Sequence, residues 1–198
     1  MRGVFDYIIQ PVGERYNNSV EVEEGKNLIL NTEISNHEYI NRAAKVLSTP
    51  LASETPLREG DDVIVHHNIF RRWYNIKAKE KNSRSYIDED RYLAAPDQVF
   101  LYKRDDKWKA LPGYTFVQPI KSKDDFSVDT EDPSFGIVVY SDGTFDEGEL
   151  VSINPGGRYE FIIDNTRLYR VFNKFINARY ERKGNEEAYN PRWAESSR

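Results

Sequence analysis

The feature that most constrains this fold is an internal repeat. Four segments from the first half of the chain return, in the same order, in the second half. The pairs are YIIQPV (7–12) with TFVQPI (115–120), AKVLST (44–49) with IVVYSD (137–142), EGDDVIV (59–65) with EGELVSI (147–153), and IDEDRYLAAPDQVF (87–100) with IDNTRLYRVFNKFI (163–176). The second of these matches is loose and aligns Val46 with Val138. Each match is weak by itself, but their shared order indicates a tandem duplication.

The two copies differ in the length of their connections. The offset between a segment and its match becomes smaller at every step along the chain, so the first copy is longer in every connection. The largest decrease falls between the first two matched segments. This is the connection 13–41, which carries the apolar triplet Leu28-Ile29-Leu30 among charged and amide residues.

The local patterns are those of β-strands. DVIVHH (62–67) and ELVSIN (149–154) alternate apolar and polar residues, as half-buried strands do. YEFIID and RLYRVF flank Asn165-Thr166 as a predicted hairpin. Residues 96–102 and 172–181 fit one helical turn followed by a final strand. We expect an all-β chain of two tandem small β-barrels, at 1–107 and 108–182, followed by a polar tail at 183–198. A loosely ordered tail is the default, and docking of Tyr189 and Trp193 on a barrel or a partner is the alternative.

Composition excludes several classes of protein. The net charge is −5, which argues against a protein whose main role is to bind nucleic acid through its phosphates. The absence of cysteine excludes disulfides, zinc–thiolate sites and thiol nucleophiles. The N-terminal residues lack the apolar core of a signal peptide, and no stretch is apolar enough to span a membrane. We expect a soluble, cytoplasmic protein without membrane contact.

The order of the repeated segments resembles a known family. The first copy reads FDYIIQPV, RAAKVLS, EGDDVIVHHN and RSYIDEDRYLAAPDQVF; the second reads YTFVQPI, FGIVVYS, EGELVSINPG and YEFIIDNTRLYRVFNKFI. Each copy resembles the small co-chaperonins, the GroES-like ring caps of the large chaperonin, and the likeness covers most of residues 4–181. It is greatest to the divergent co-chaperonins that tailed phages encode. The resemblance implies two GroES-like, partly orthogonal barrels with a long mobile loop, 13–41, in the first.

The resemblance also implies a binding site. The loop of the family carries an apolar tripeptide that enters a groove on the chaperonin, and Leu28, Ile29 and Leu30 match it in type and position. The second copy has only the isolated Phe126 and Val128 in its loop. The implied protein is a non-enzymatic co-chaperonin without a cofactor. It forms a homo-oligomeric ring, leaves ATP to its chaperonin partner, and assists an unfolded client, a capsid protein if the chain is phage-encoded and acts in the host cytoplasm.

Other interpretations stay open at this stage. The triplet also fits a strand of the first barrel that continues into the residues after Leu30. The barrels also fit a phage structural or assembly protein that reuses the GroES-like fold without binding a chaperonin. A third alternative is a nucleic-acid-binding β-barrel that uses residues 68–86, where basic residues are interleaved with aromatic ones. A solvated hairpin with Trp73 partly packed is the simpler explanation of that segment.

No metal site or catalytic site is predicted. His66 and His67 follow a strand, where neighbouring residues point to opposite faces, and only His37 remains to complete a histidine site. The acidic residues at 124–132 lack the spacing of a calcium loop. The Gly-Gly at 156–157 does not join a strand to a helix, as a phosphate-binding loop would. No Ser-His-Asp arrangement is apparent, and we expect no enzymatic activity.

Overall fold

The structure is a computed structural model that describes residues 1–16, 19–23, 26–29, 39–122 and 130–195, and the side chains of these residues except those at 19–23 and 26–29. The chain divides into two compact units, unit 1 (Met1–Lys107) and unit 2 (Trp108–Arg198). Apart from single-turn 3-10 helices and one short α-helix, the regular elements of the described residues are strands. The all-β prediction is confirmed.

Unit 1 is built on a sheet with the strand order β11-β10-β5-β4-β1-β9-β8. Two further hairpins, β2–β3 and β6–β7, each form a two-stranded sheet. The strands are β1 (Tyr7–Pro11), β2 (Ser19–Glu23), β3 (Lys26–Ile29), β4 (Ala43–Ser48), β5 (Asp62–Val65), β6 (Arg72–Tyr74), β7 (Glu80–Asn82), β8 (Tyr86–Asp88), β9 (Arg91–Ala94), β10 (Val99–Arg104) and β11 (Lys107–Ala110), of which β11 contains the unit boundary.

Unit 2 is built on a sheet with the order β15-β16-β12-β13-β14-β17. Its elements are β12 (Tyr114–Lys121), β13 (Glu131–Ser141), β14 (Leu150–Ile153), β15 (Tyr159–Ile163), β16 (Thr166–Phe172), β17 (Ile176–Tyr180) and helix α1 (Arg192–Glu195). The 3-10 helix Asn173–Phe175 precedes β17, and Pro96–Gln98 precedes β10 in unit 1, so the two predicted helical turns are confirmed.

The two units share one strand order. The order β15-β16-β12-β13-β14-β17 of unit 2 corresponds, strand for strand, to β8-β9-β1-β4-β5-β10 of unit 1. Only β11 has no counterpart among the described strands of unit 2. The residue registers agree as well. Ile9 pairs with Val46 on the neighbouring strand, and their matches in the sequence repeat, Val117 and Val138, pair with each other. A β-bulge directly precedes both Ile9 and Val117. The repeated segments are therefore the central strands of the two units.

The fourth repeated segment is displaced by one position from its sequence match. Ile9 also pairs with Tyr92, and Val117 pairs with Tyr169, which makes these two tyrosines equivalent, whereas the sequence match aligns Tyr92 with Leu168. The cause is a difference in hairpin length, because Tyr92 directly follows the first residue of β9 whereas Tyr169 is the fourth residue of β16. The turn before β16 is Asp164-Asn165, both at positive φ, one residue earlier than predicted.

Equivalent positions form the buried core of each unit. Six apolar or aromatic side chains are buried at matching places in the two sheets. They are Ile9, Val46, Val63, Val65, Tyr92 and Ala94 in unit 1, and Val117, Val138, Val151, Ile153, Tyr169 and Val171 in unit 2. The repeat is visible in the sequence because the matched strands place buried apolar or aromatic residues at equivalent positions in the two copies.

The predicted barrels are not confirmed. In the part of the chain that the structure describes, neither large sheet closes on itself: β8 and β11 are the end strands of one, β15 and β17 of the other. No helix among the described residues is long and apolar enough to cross a membrane.

The segment after β17 is docked on unit 2, contrary to the expected loose tail. Ala188 forms a β-bridge with Ile120, and the backbone N–H of Tyr189 donates to the carbonyl of Pro119 at 2.8 Å. The Tyr189 side chain is buried. Of the two aromatic residues that the sequence offered for docking, Tyr189 is buried and Trp193 is exposed. Residues 196–198 lie outside the described part.

Candidate binding site in unit 1

Unit 1 differs from unit 2 by two insertions. Strands β1 and β4 are joined by the connection 12–42, which includes the hairpin β2–β3, whereas β12 and β13 are joined by the shorter connection 122–130. Strands β5 and β8 are joined by 66–85, which contains the hairpin β6–β7, whereas β14 and β15 are joined by 154–158 alone. Because the sheets are otherwise equivalent, these two insertions are where a role specific to unit 1 would reside.

The two ends of the first insertion, which we call its root, are held together by a β-bridge and by hydrogen bonds of one side-chain amide. Tyr16 and Ile40, both buried, form a β-bridge across it. The side-chain amide of Asn41 donates to the carbonyls of Val12 at 2.8 Å and Glu14 at 2.9 Å. Its oxygen accepts from the next strand as well, so one buried amide satisfies backbone groups on both sides of the root. The connection therefore leaves the sheet from a defined position.

The predicted triplet lies partly within the described residues. Leu28 and Ile29 belong to β3, where they pair with Val20 and Ser19 of β2. This hairpin forms its own two-stranded sheet and appears in neither large sheet. Leu30 lies outside the described residues, as does the continuation through 38. Leu28 and Ile29 are therefore in a strand, as one alternative predicted, but this strand belongs to a hairpin within the connection and to neither large sheet.

The second insertion holds the root of the first. The backbone N–H of Arg72 in β6 donates to the hydroxyl of Tyr16 at 2.8 Å, and its guanidinium lies 4.7 Å from the Tyr16 ring centroid. Arg15 donates to the side-chain oxygen of Asn82 at 3.0 Å and to the carbonyl of Phe70 at 3.1 Å. The two insertions are therefore joined side by side at one end of unit 1.

Arg15 also lies over Tyr92, the core tyrosine of unit 1 that is equivalent to Tyr169 of unit 2. Its guanidinium carbon lies 5.3 Å from the ring centroid of Tyr92 and 5.5 Å from that of Tyr86. The Tyr92 hydroxyl is buried and has no hydrogen-bond partner among the described residues. Burial raises the pKa of Tyr92 to about 12, and the nearby Arg15 charge opposes this rise.

Unit 2 has a paired charge cluster at the matching tyrosine. Tyr169 donates to Glu131 at 2.7 Å, and Glu131 also accepts from Arg158 and Arg167, each at 2.9 Å. Arg167 in addition pairs with Glu160 at 2.7 Å. Burial, followed by the hydrogen bond to Glu131, raises the pKa of Tyr169. Sequence analysis did not find this cluster, since its members come from separate parts of unit 2 and share no spacing pattern.

The hairpin β6–β7 is exposed, as the sequence predicts for a solvated hairpin. Trp73 is 39% exposed, Tyr74 58%, and Ile76, at the turn, is fully exposed. The lysines of the turn and of β7 are exposed too. The connection of unit 2 at the same place has no room for an equivalent hairpin.

The histidines do not assemble a metal site in the described residues. The rings of His66 and His67 stack with centroids 4.4 Å apart, and Nδ1 of His66 accepts from the backbone N–H of Asn68. No group of three or more histidine, aspartate or glutamate side chains with metal-binding geometry occurs in the described ranges. His37 lies outside them.

Comparison of the sequence with protein-family models and with curated proteins gives no match.

Proposed function

We propose that this protein is a tandem co-chaperonin that caps a large chaperonin ring and assists the folding of a client protein. The observation that carries the proposal is the hairpin β2–β3, which places Leu28 and Ile29 in a connection outside both large sheets. The triplet fits the apolar loop tripeptide of the co-chaperonins that the sequence resembles. The absence of such a triplet from the connection of unit 2 marks unit 1 as the binding unit.

The fold of each unit is part of the proposal. We assign both units to the GroES-like barrel type. The shared strand order and register support a single ancestral unit that was duplicated. This assignment, like the function, rests on the resemblance of the ordered segments.

The proposed mechanism is weak binding at many identical sites. Burying each apolar side chain of the triplet contributes roughly 1.5–3 kcal/mol. Ordering the connection opposes this by about 1–2 kcal/mol for every residue that becomes fixed. One loop then binds poorly, but several loops on a homo-oligomeric ring bind together through their high effective concentration. Release of the cap requires only a modest weakening of the contact between each loop and its groove on the chaperonin. The chaperonin provides this weakening when it hydrolyses ATP.

The anchored root suits this mechanism. The bridge between Tyr16 and Ile40 and the hydrogen bonds of Asn41 hold the start and the end of the connection. Because both ends of the connection are fixed, less conformational entropy is lost when the triplet docks. The protein needs no covalent chemistry and no cofactor of its own.

A chaperonin pull-down tests the proposal. Purified chaperonin is incubated with ATP or ADP and with the wild-type protein or the variant Leu28→Ser/Ile29→Ser/Leu30→Ser. The wild type should be retained and the variant lost. The matched control Phe126→Ser/Val128→Ser changes apolar residues in the connection of unit 2 and should bind like the wild type. Equal retention of both variants would refute the loop assignment.

Two further outcomes separate the remaining alternatives. If the wild type binds no chaperonin in either nucleotide, the phage structural or assembly protein becomes the better explanation of the fold. Native mass spectrometry at micromolar concentration should show a ring, and a stable monomer would contradict multivalent capping. Fractionation of expressing cells should place the protein in the cytoplasm, together with an unfolded client such as a capsid protein.

A further inference from the structure

The hairpin β6–β7 concentrates positive charge on an acidic chain. Residues 71–84 carry six basic side chains and one acidic one, while the whole chain has a net charge of −5. The matching connection of unit 2, 154–158, carries one basic side chain. The six are Arg71, Arg72, Lys77, Lys79, Lys81 and Arg84. A local positive potential therefore surrounds this hairpin although the protein as a whole is negative.

Four of these residues are exposed: Lys77, Lys79, Lys81 and Arg84. The acidic member, Glu80, is paired with Arg72 at 3.4 Å. Lys77, Lys79 and Lys81 are exposed, and none of them forms an ion pair within the described part of the chain. Two of these lysines lie in the turn and Lys81 lies in β7, and such a group of exposed cations is suited to contact a flexible polyanion.

Two aromatic rings accompany the lysines. Trp73 lies opposite Lys81 in the strand register, so the two side chains share one face of the hairpin. Tyr74 lies opposite Glu80 on the other face. Both rings are exposed, Trp73 at 39% and Tyr74 at 58%. Exposed aromatic faces beside cations are the elements with which proteins bind single-stranded nucleic acids.

The turn holds this arrangement in place. The side-chain oxygen of Asn75 accepts from the backbone N–H groups of Lys77 and Lys79, each at 3.0 Å. The backbone N–H of Asn75 donates to the carbonyl of Lys79 at 3.0 Å. The base of the hairpin is fixed to Tyr16 through Arg72, as described above. A rigid hairpin loses little entropy on binding, so even a small contact surface can bind a ligand.

We propose that the hairpin β6–β7 binds single-stranded nucleic acid without sequence preference. Bases stack on Trp73, and phosphates contact Lys77, Lys79 and Lys81. A nucleic-acid strand joins planar bases to phosphates, which matches an exposed ring that shares its face of the hairpin with a lysine. A folded acidic protein offers the charge but not a planar base to stack on Trp73. The activity lies beyond chaperonin capping and does not depend on it.

Fluorescence anisotropy with a fluorescein-labelled oligonucleotide of twenty thymidines, dT20, tests the proposal on the full-length chain. Three phosphate contacts to a single strand predict a slope of about −2 for the logarithm of affinity against the logarithm of salt concentration. Affinity should then fall about 20-fold between 50 and 200 mM salt. Replacing Trp73 by alanine should weaken binding about tenfold, and replacing it by phenylalanine should restore most of the loss, because phenylalanine also offers a ring face for stacking.

A charge-matched pair of variants locates the site. Lys77→Gln/Lys79→Gln/Lys81→Gln should lose most of the salt dependence and bind more than about 20-fold more weakly at 50 mM salt. The control is a triple Lys→Gln variant, which removes the same charge at three lysines paired with acidic residues and should bind like the wild type. These lysines are Lys45, Lys103 and Lys121. Equal weakening of both triple variants, or no wild-type binding at 50 mM salt, would overturn the proposal.

A competitor decides between ligand classes. Unlabelled dT20 should displace the probe at much lower concentration than polyglutamate of the same charge, since polyglutamate offers no bases to stack. Equal competition by the two would overturn the nucleic-acid assignment and identify the hairpin as a surface for acidic proteins.

Discussion

The duplicated tyrosines of the two cores should respond oppositely to the loss of their hydroxyl groups. Tyr92 and Tyr169 occupy equivalent positions in the two sheets. The hydroxyl of Tyr92 is buried without a hydrogen-bond partner among the described residues, whereas that of Tyr169 donates to Glu131 at 2.7 Å. Replacing each by phenylalanine therefore makes the same chemical change in two different electrostatic environments.

The magnitudes follow from hydrogen bonding. A buried polar group without a partner destabilises a protein by about 1–3 kcal/mol on mutational scales. Tyr92→Phe should therefore raise the free energy of unfolding of unit 1 by about 1 kcal/mol, the low end of that range. A hydrogen bond to a charged group contributes about 1.5–3 kcal/mol. Tyr169→Phe should lower the stability of unit 2 by about 2 kcal/mol, because Glu131 keeps its two arginine partners.

Hydrogen exchange at increasing urea concentration measures the two effects separately. Exchange is followed by mass spectrometry on peptides from β4 and β5 for unit 1 and from β13 and β14 for unit 2. Each variant serves as the control for the other, since peptides from the unmutated unit should exchange as in the wild type. If Tyr92→Phe destabilised unit 1 as strongly as Tyr169→Phe destabilises unit 2, the hydroxyl of Tyr92 would have a bonding partner, such as ordered water, and the reasoning would be refuted.

Three further predictions concern the turns and alkaline pH. Ala78 adopts a positive φ of 53°, so Ala78→Gly should stabilise the β6–β7 turn by about 1 kcal/mol, seen as slower amide exchange there. A Cβ at Gly157 would lie 2.6 Å from the Phe175 ring, so Gly157→Ala should lower the free energy of unfolding by about 1–3 kcal/mol, seen as a lower urea midpoint. The control Gly156→Ala, whose Cβ would have its nearest contact at 3.5 Å, should leave the midpoint unchanged. Folding raises the pKa of Tyr92 from 10.0 to about 12, so its neutral hydroxyl is favoured in the folded state. The stability that depends on this neutral hydroxyl is fully present below pH 10 and is lost as the pH rises from 10 to 12. Urea titrations across this range should show a smaller alkaline loss in Tyr92→Phe than in wild type.

The strands of the core were predictable because their pattern is local. A strand with one buried face repeats its apolar residues with a period of two, and a duplication preserves that phase in both copies. Ile9 and Val46, and their counterparts Val117 and Val138, lie in the segments that the repeat matched, although their pairing across strands came from the structure. The fourth match was displaced by one position, since the sequence does not reveal the different hairpin lengths before Tyr92 and Tyr169.

The candidate sites were predictable only in outline. The length excess of the first copy pointed to the connection 13–41, and the basic and aromatic residues of 68–86 pointed to a solvated hairpin. The contacts between them did not follow from the sequence, because Arg72 meets Tyr16 and Arg15 meets Asn82 although each pair is far apart in the chain. The same holds for the docked segment around Tyr189, which is held by backbone contacts with Pro119 and Ile120, far away in the chain.

The amino-acid sequence by itself determined the all-β character, the duplication and the strands that would form each core, because these depend on residue periodicity along short segments. The tertiary structure alone decided how those strands were ordered into open sheets and which tyrosine obtained a charged partner. It also decided that the two insertions of unit 1 contact each other, through Arg72 with Tyr16 and Arg15 with Asn82. Those outcomes depend on hydrogen bonds and burial between residues far apart in the chain, and no local pattern encodes them.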